Sequence, residues 1–207
     1  MVKYVLHYFK GVNGRAESIR LAFKLAGVDY EEKNFEGADW PKLKPNYVTQ
    51  ETPSLEVDGT MICQSKAGLR YLAREFGFYG KTSLDAAFID QAIDAVEDIW
   101  SEVNHVFQGP KESKPERVEK FLKEWVPSIY ACLERLIGQK HAGDFFVGNS
   151  ISVADLFFFA AADFVDVVSK GANSLEKFPK LVALKSRIAA NPKIAAWLAV
   201  RPPEATF

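Results

Sequence analysis

The chain has 207 residues, 48% of them hydrophobic and 26% charged, and a formal net charge of −1. That length and apolar content supply a buried core for one large domain or two small ones, and exclude a disordered, collagen-like or low-complexity chain. With 26 Lys and Arg against 27 Asp and Glu, there is no cationic surplus to neutralise a phosphate backbone, which argues against nucleic acid as a partner.

The opening Met1-Val2-Lys3-Tyr4-Val5-Leu6-His7 lacks the apolar run and small-residue cleavage site of a signal peptide. The Tyr- and Val-rich alternation from Lys3 to Phe9 predicts a strand. After a loop with Gly11 and Gly14, helical spacing runs from Arg15 to Ala26 and closes at Gly27, a C-cap glycine. Asp29 to Asn34 forms a second strand, and a strand–helix–strand unit of this kind gives parallel strands. An irregular Lys/Pro-rich stretch around Trp40 follows. Ser54–Val57 and Thr60–Cys63 then flank Asp58-Gly59, a hairpin turn. Ser65 is expected to cap a helix that ends at Phe76 before Gly77. The order βαβ then ββα, with Pro53 opening the third strand, reads as an α/β sandwich of thioredoxin type.

Beyond Gly80 the strand pattern disappears. Residues 83–108, 114–138, 152–169 and 178–198 have helical spacing, broken at Gly109-Pro110, Pro127, Gly138, Gly143, Gly148 and Pro192. Ser152 and Asp155 have capping-box spacing, and Ile151 and Leu156 stand where a hydrophobic staple holds a helix start. The stretch from Ile151 to Val168 is the most apolar, yet Asp155, Asp163 and Asp166 within it point to a buried helix and away from a membrane span. The expected organisation is an α/β domain over 1–79 and an all-helical domain over 83–207. Cys63 and Cys132 lie far apart and form no metal or redox motif, as in a reduced, cytoplasmic protein.

No glycine cluster runs into a Lys-Ser/Thr pair, no serine sits on a nucleophile elbow, and His7, His105 and His141 lack metal-ligand spacing. His7 alternates with Val5 and Phe9 and reads as a strand residue. A reactive group therefore has to arrive with a substrate or cofactor. Tyr8 is either a packing residue or a phenol aimed at an anion near the following helix. Pro53 is either an ordinary strand-opening proline or a cis residue that exposes the Thr52 backbone to an extended peptide. Gln64-Ser65 is either a helix cap or a carboxylate site at a helix N-terminus. Trp40 and Lys44 are either loop filler or an aromatic wall and a cation for an acidic ligand. Asp94, Glu97 and Asp98 stand on one helix face, where like charges repel unless a cation meets them.

Several blocks occur in register over nearly the whole chain. They are Tyr8-Phe9 with Gly14-Arg15-Ala16-Glu17, Ala38-Asp39-Trp40-Pro41 with Lys44, Pro53 through Gly59, Gln64-Ser65, Arg70 through Gly77, and Val147 through Asp155. In these the chain resembles the cytosolic glutathione transferases, within them the sigma class, and most of all its invertebrate and nematode members. The resemblance implies a thioredoxin-like domain that binds glutathione, a helical domain that shapes a hydrophobic-substrate pocket, and a homodimer. It implies transfer of glutathione to small hydrophobic electrophiles, with peroxidase or prostaglandin D isomerase activity alongside. The alternative is a catalytically weak or inactive ligand carrier or structural member of the same fold.

By the same resemblance Tyr8 and Arg15 are catalytic, the phenol donating to the glutathione sulfur. Trp40 and Lys44 hold the glycyl end. Gln50, Glu51, Thr52 and Pro53 line the cysteinyl portion, Gln64 and Ser65 take the γ-glutamyl carboxylate, and Asp98 reaches over from the neighbouring subunit. Phe9, Trp100, His105 and Phe157 line the second pocket, with Phe207 covering it. No obligatory metal is implied, although Asp94, Glu97 and Asp98 match, with one substitution, a cation-binding cluster of related prostaglandin D synthases. Three departures stand out. The loop Lys10–Asn13 is one residue longer than usual and lacks the family's arginine before Gly14. Glu51 sets a negative charge beside an anionic ligand and is expected to weaken its binding. Gly68 replaces an aliphatic helix residue, which costs up to about 1 kcal/mol of helix propensity.

Overall fold

In the computed structural model, residues 2–171 and 174–203 are described. Tyr4–Phe9 (β1) is central to a four-stranded sheet and is covered on both faces, so that nearly every residue in it is buried. Tyr4, Leu6 and Tyr8 face one way, where Tyr4 meets Phe23 of the helix Glu17–Ala26 (α1) and Phe76 of the helix Ser65–Phe76 (α3). Val5, His7 and Phe9 face the other way, under Tyr47 and Trp40. Glu31–Phe35 (β2) pairs parallel to β1, whereas Ser54–Val57 (β3) pairs antiparallel to it and to Thr60–Cys63 (β4), giving the order β2-β1-β3-β4.

The local signals act where they are placed. Gly27 ends α1 in the left-handed region at φ +72 and Gly77 ends α3 at φ +77. Asp58 and Gly59 both take positive φ (+47 and +83), as a two-residue hairpin turn requires. The cap of α3 differs from the expectation: Gln64, at φ +77, is the N-cap, and Ser65 is the first helical residue. The left-handed turn at Gln64 swings the chain from β4 straight into the helix and leaves the Ser65 hydroxyl unused as a cap. Gly68 has a packing reason, because a Cβ there would lie 3.3 Å from Leu55 Cβ and 3.7 Å from Ile19 Cδ1. Its absence lets α3 sit close on the sheet and on α1.

The remainder of the described chain is helical: Ser83–Gln108 (α4), Lys114–Lys120 (α5), Val126–Leu136 (α6), Val153–Val168 (α7), Pro179–Ala189 (α8) and Pro192–Leu198 (α9), with the four-residue helix Trp40–Leu43 (α2) earlier, over the sheet. Pro127 does not break its helix. A π-helical turn, Phe121–Trp125, joins α5 to α6 and lets the Val126 N–H reach the Phe121 carbonyl, which takes up the register that a proline without an N–H disturbs. Pro192 does mark a break, and Asn191 caps α9 by accepting from the Lys193 and Ile194 N–H groups. No described helix is long and apolar enough to cross a membrane.

The helix α7 is the core of the helical part and packs on α4 and on α1. Its start is held by Asp155, which is wholly buried and accepts from the Ser152 N–H at 2.7 Å, the Ser152 hydroxyl at 2.6 Å and the Phe146 N–H at 3.0 Å. Burial pushes the Asp155 carboxyl up to about 6 against the pull of these donors. A raised carboxyl is protonated more readily in the folded chain than in the unfolded one. Its stabilising contribution is thus full below the unfolded value of about 3.9 and is lost as pH rises through about 6. Asp155→Ala strands two buried N–H groups and is expected to cost about 3 kcal/mol in urea denaturation. The gap between wild type and variant should widen as pH is lowered from 7.5 to 5.

Candidate active site

The site grows from the end of β1. The Tyr8 ring is 7% exposed, and its hydroxyl lies over Gly14, where an added Cβ would stand only 2.6 Å from Tyr8 Oη. Gly14 also has φ +40, so the backbone conformation and the close approach both demand glycine there. The intervening loop is gripped from behind by Arg20, 5% exposed, whose Nη1 donates to the Val12 carbonyl at 3.2 Å and the Asn13 carbonyl at 3.3 Å. Its Nε and Nη2 bind Glu32 at 2.9 and 3.1 Å, and its guanidinium lies 5.9 Å from the centre of the Tyr8 ring. Burial alone would lower the Arg20 pKa, but the Glu32 carboxylate reverses this and holds the charge firmly. On the outer side of the loop, the Asn13 amide donates to the Pro202 carbonyl at 3.1 Å.

Arg15 lies on the turn that leads into α1. Its Nη1 donates to Glu97 of α4 at 2.8 Å, and its guanidinium sits 5.3 Å above the Trp100 ring. The charge is therefore balanced and the side chain held in one place. Glu97 belongs to the acidic face of α4, and the cations that relieve this face come from α3. Lys66 pairs with Asp94 at 3.3 Å and Glu97 at 3.9 Å, and Arg70 pairs with Asp90 and, at 3.1 Å, with Asp94. Burial pushes the Asp94 carboxyl up, but the hydrogen bonds from Arg70 and Lys66 outweigh it and hold the group below the usual carboxylate range. Asp98 is exposed on the outward side of α4, near Glu102, Trp125 and Cys132. No three His, Cys, Asp or Glu side chains among the described residues gather to hold a metal.

On the other face of the sheet Trp40 stacks on Phe35 at 5.2 Å and meets Phe9 at 5.6 Å and Tyr47 at 5.2 Å. Tyr47 is anchored in turn by His7 Nδ1 at 2.9 Å, while His7 Nε2 meets Glu56 at 3.1 Å. Burial lowers the pKa of His7, with Glu56 only partly opposing, so its role is that of a strand residue fixing the overlying segment. Lys44 is exposed and has no ion-pair partner among the described residues. The Thr52–Pro53 peptide is cis, and the Thr52 hydroxyl donates to the His7 carbonyl at 2.8 Å. The Thr52 backbone lies just outside the ladder of β3. Gln50 has φ +53, and after it the Glu51 carboxylate accepts from the Gln64 side-chain amide. Ser65 is 5% exposed, and its hydroxyl makes no hydrogen bond among the described residues.

The four residues expected to line the second pocket are not gathered into one wall. Trp100 and Phe157 are buried side by side, 6.5 Å apart, and Phe157 is a core residue with no exposed surface. Phe9 belongs to the aromatic cluster under Trp40. His105 has a side chain 75% exposed and pairs with Glu102 at 3.5 Å, so it faces solvent. Phe207 lies outside the described residues. The sequence did not mark Arg20 as the clamp of the Tyr8 loop or Glu97 as the partner of Arg15. The repelling acidic face was the one signal available for Glu97.

Two family models match the chain: the glutathione S-transferase N-terminal domain over residues 4–74 and the glutathione S-transferase C-terminal domain over residues 97–201. The chain is 38% identical to the hematopoietic prostaglandin D synthase of Gallus gallus over 207 residues, covering 98% of each. It is 35% identical to S-crystallin SL11 of Nototodarus sloanii, covering 97% of this chain and 98% of that one. Among solved structures, rat hPGDS complexed with a quinoline superposes with a TM-score of 0.87 at 31% identity, covering 99% of this chain and all of the other.

The seat of Tyr8 is testable by glycine substitution. Gly11 and Gly14 both have positive φ, but a Cβ at Gly11 meets nothing within 4 Å, whereas one at Gly14 meets the phenol. Gly11→Ala should cost about 1 kcal/mol of backbone strain, and Gly14→Ala at least about 2 kcal/mol, read as a lower Tm by calorimetry.

Proposed function

The chain belongs to the glutathione S-transferase family as one of its enzymes, and from that premise we propose that it binds glutathione along Trp40, Lys44, Thr52, Gln64 and Ser65, ionises the thiol beneath Tyr8, and conjugates it to hydrophobic electrophiles. The observation that carries this reading is the Tyr8 hydroxyl, seated over Gly14 at the mouth of a loop that Arg20 clamps. A free thiol with a pKa near 8.5 is only a few per cent thiolate at neutral pH, and the thiolate is the nucleophile. Lowering that value by ~2 units takes roughly 2.7 kcal/mol of preferential stabilisation of the anion. A preorganised phenol donating to sulfur, in a site shielded from water, supplies energy of that order. Arg15, held by Glu97 and the Trp100 ring, offers fixed guanidinium N–H donors to the anion.

The rest of the site suits a tripeptide. The exposed Lys44 answers the glycyl carboxylate, and the cis Thr52–Pro53 step offers the Thr52 backbone to the cysteinyl residue. The Ser65 hydroxyl, with the N-terminus of α3, takes the γ-glutamyl carboxylate. Residues 1–79 form the glutathione-binding domain and 83–207 the domain that receives the electrophile. The reaction class is cytoplasmic detoxification, with peroxide reduction and prostaglandin D isomerisation as further reactions open to the same thiolate.

The experiment is conjugation of glutathione to a generic aryl halide between pH 6 and 9, for wild type and Tyr8→Phe. Loss of the phenol should lower kcat/KM about a hundredfold at pH 6.5, and move the ionisation seen in its pH profile up toward the free-thiol value. Glutathione binding without turnover in the wild type would support the alternative of a ligand carrier. The proposed homodimer, in which Asp98 faces a second subunit, predicts a mass by sedimentation equilibrium of twice the 23.2 kDa chain.

A further inference from the structure

The chain leaves α9 as a tail whose apolar side chains face solvent. Val200 is 75% exposed, and Pro202 and Pro203 are exposed as well. The two prolines bar a further helical turn and stiffen the segment. An open cleft of about 450 Å³ lies against α7, lined by Asp163, Asp166, Val167 and Leu198 together with the tail itself. Polar contacts, and not close packing, therefore fix the tail. The Arg201 guanidinium reaches Glu17 at 2.9 Å and Asp163 at 2.7 Å, and the Pro202 carbonyl accepts from the Asn13 amide at 3.1 Å. Burial alone would lower the Arg201 pKa, but Asp163 and Glu17 reverse this and hold the charge.

These contacts close a ring on the loop behind the phenol. The Asn13 side chain holds Pro202, while the Asn13 carbonyl accepts from the Glu17 N–H at 3.0 Å. The Glu17 carboxylate in turn holds Arg201 and, at 2.9 Å, the Trp197 indole. Asn13 and Glu17 are 2% and 1% exposed, so water does not compete for these groups. Gly14, on which the Tyr8 hydroxyl is seated, follows Asn13 directly. A shift of the Asn13 backbone therefore moves the floor beneath the phenol. Resting on the reading of Tyr8 as the group that ionises the thiol, we propose that Asn13 and Arg201 are positioning residues that bind the C-terminal tail to the Tyr8 loop and so fix the aim of the phenol. The asparagine that stands in place of the family's arginine is the residue that makes the contact to the tail. Arg20 clamps the same loop from within, and the tail fixes it from outside. A reacting geometry tolerates little displacement, since a misplacement of about 1 Å can cost on the order of a hundredfold in rate.

The test is conjugation of glutathione to an aryl halide between pH 6 and 9 for Asn13→Ala and Arg201→Gln, each with Tyr8 present and in a Tyr8→Phe background. With Tyr8 present, either substitution should lower kcat about tenfold at pH 6.5 and move the ionisation in the pH profile up by about one unit. KM for glutathione should stay within about twofold, because neither side chain is among those proposed to hold the peptide. The losses should not add, so the double variant should cost about as much as one substitution alone. In the Tyr8→Phe background both should have almost no further effect, an outcome that general damage to the fold does not give. Arg201→Lys keeps a cation beside the buried Glu17, provides a folded protein should Arg201→Gln fail to fold, and should recover part of kcat. A wild-type pH profile in Asn13→Ala would overturn the proposal, and so would an equal loss with and without Tyr8. If Tyr8→Phe itself left the profile unchanged, the thiol-activation reading would fall and the proposal with it. A Tyr8→Phe effect without an Asn13→Ala effect would overturn the proposal alone.

Discussion

A buried charge pair at the start of α1 organises the molecule around the site. Glu17 and Arg20 are 1% and 5% exposed, and an isolated charge so placed would cost several kcal/mol of hydration. Several neighbouring elements supply partners. Glu17 accepts from the Trp197 indole and from Arg201, both at 2.9 Å, and Arg201 continues to Asp163 of α7 at 2.7 Å. Arg20 takes Glu32 of β2 and the carbonyls of Val12 and Asn13. The end of α9, the middle of α7, β2 and the loop behind Tyr8 are thus joined through two adjacent turns of one helix. The shape of that loop, and with it the position of the phenol, is tied to the Arg20 guanidinium, which also lies 3.6 Å from Glu17 Oε2, an oxygen with no hydrogen bond of its own among the described residues.

A second seam is laid between α3 and α4. Lys66 and Arg70 on one helix, with Arg15 from the start of α1, meet Asp90, Asp94 and Glu97 on the other. Pairs this exposed contribute little stability individually. Their arrangement has a larger consequence for chemistry, because it uses up the cations around the first turn of α3. Among the described residues, Lys44 and Glu51 have no ion-pair partner and the Ser65 hydroxyl makes no hydrogen bond.

What was legible in the sequence is what is physically local. Gly27, the Asp58-Gly59 turn and the Ser152–Asp155 box each act within four residues, through a positive φ or a side chain returning to a nearby N–H, so one sequence suffices to read them. Even local signals gave way to the fold where it intervened. The π-helical turn absorbed Pro127, and Gln64 displaced Ser65 as the cap because the chain must turn sharply out of β4. The blocks shared with the glutathione transferases point to Tyr8, Arg15, Gln64 and Ser65 as candidate site residues, but not to how each is held.

The amino-acid sequence by itself determined the strands and helices, the family, and the set of side chains available for chemistry, because these follow from periodicity, turn chemistry and motifs in register. Only the tertiary structure decided which charges meet. Arg15 finds Glu97 82 positions away and Arg201 finds Glu17 across 184, while Glu51 is left with an amide. Coulombic pairing depends on separation in space and on exclusion of water, and neither is written in the spacing of residues along a chain.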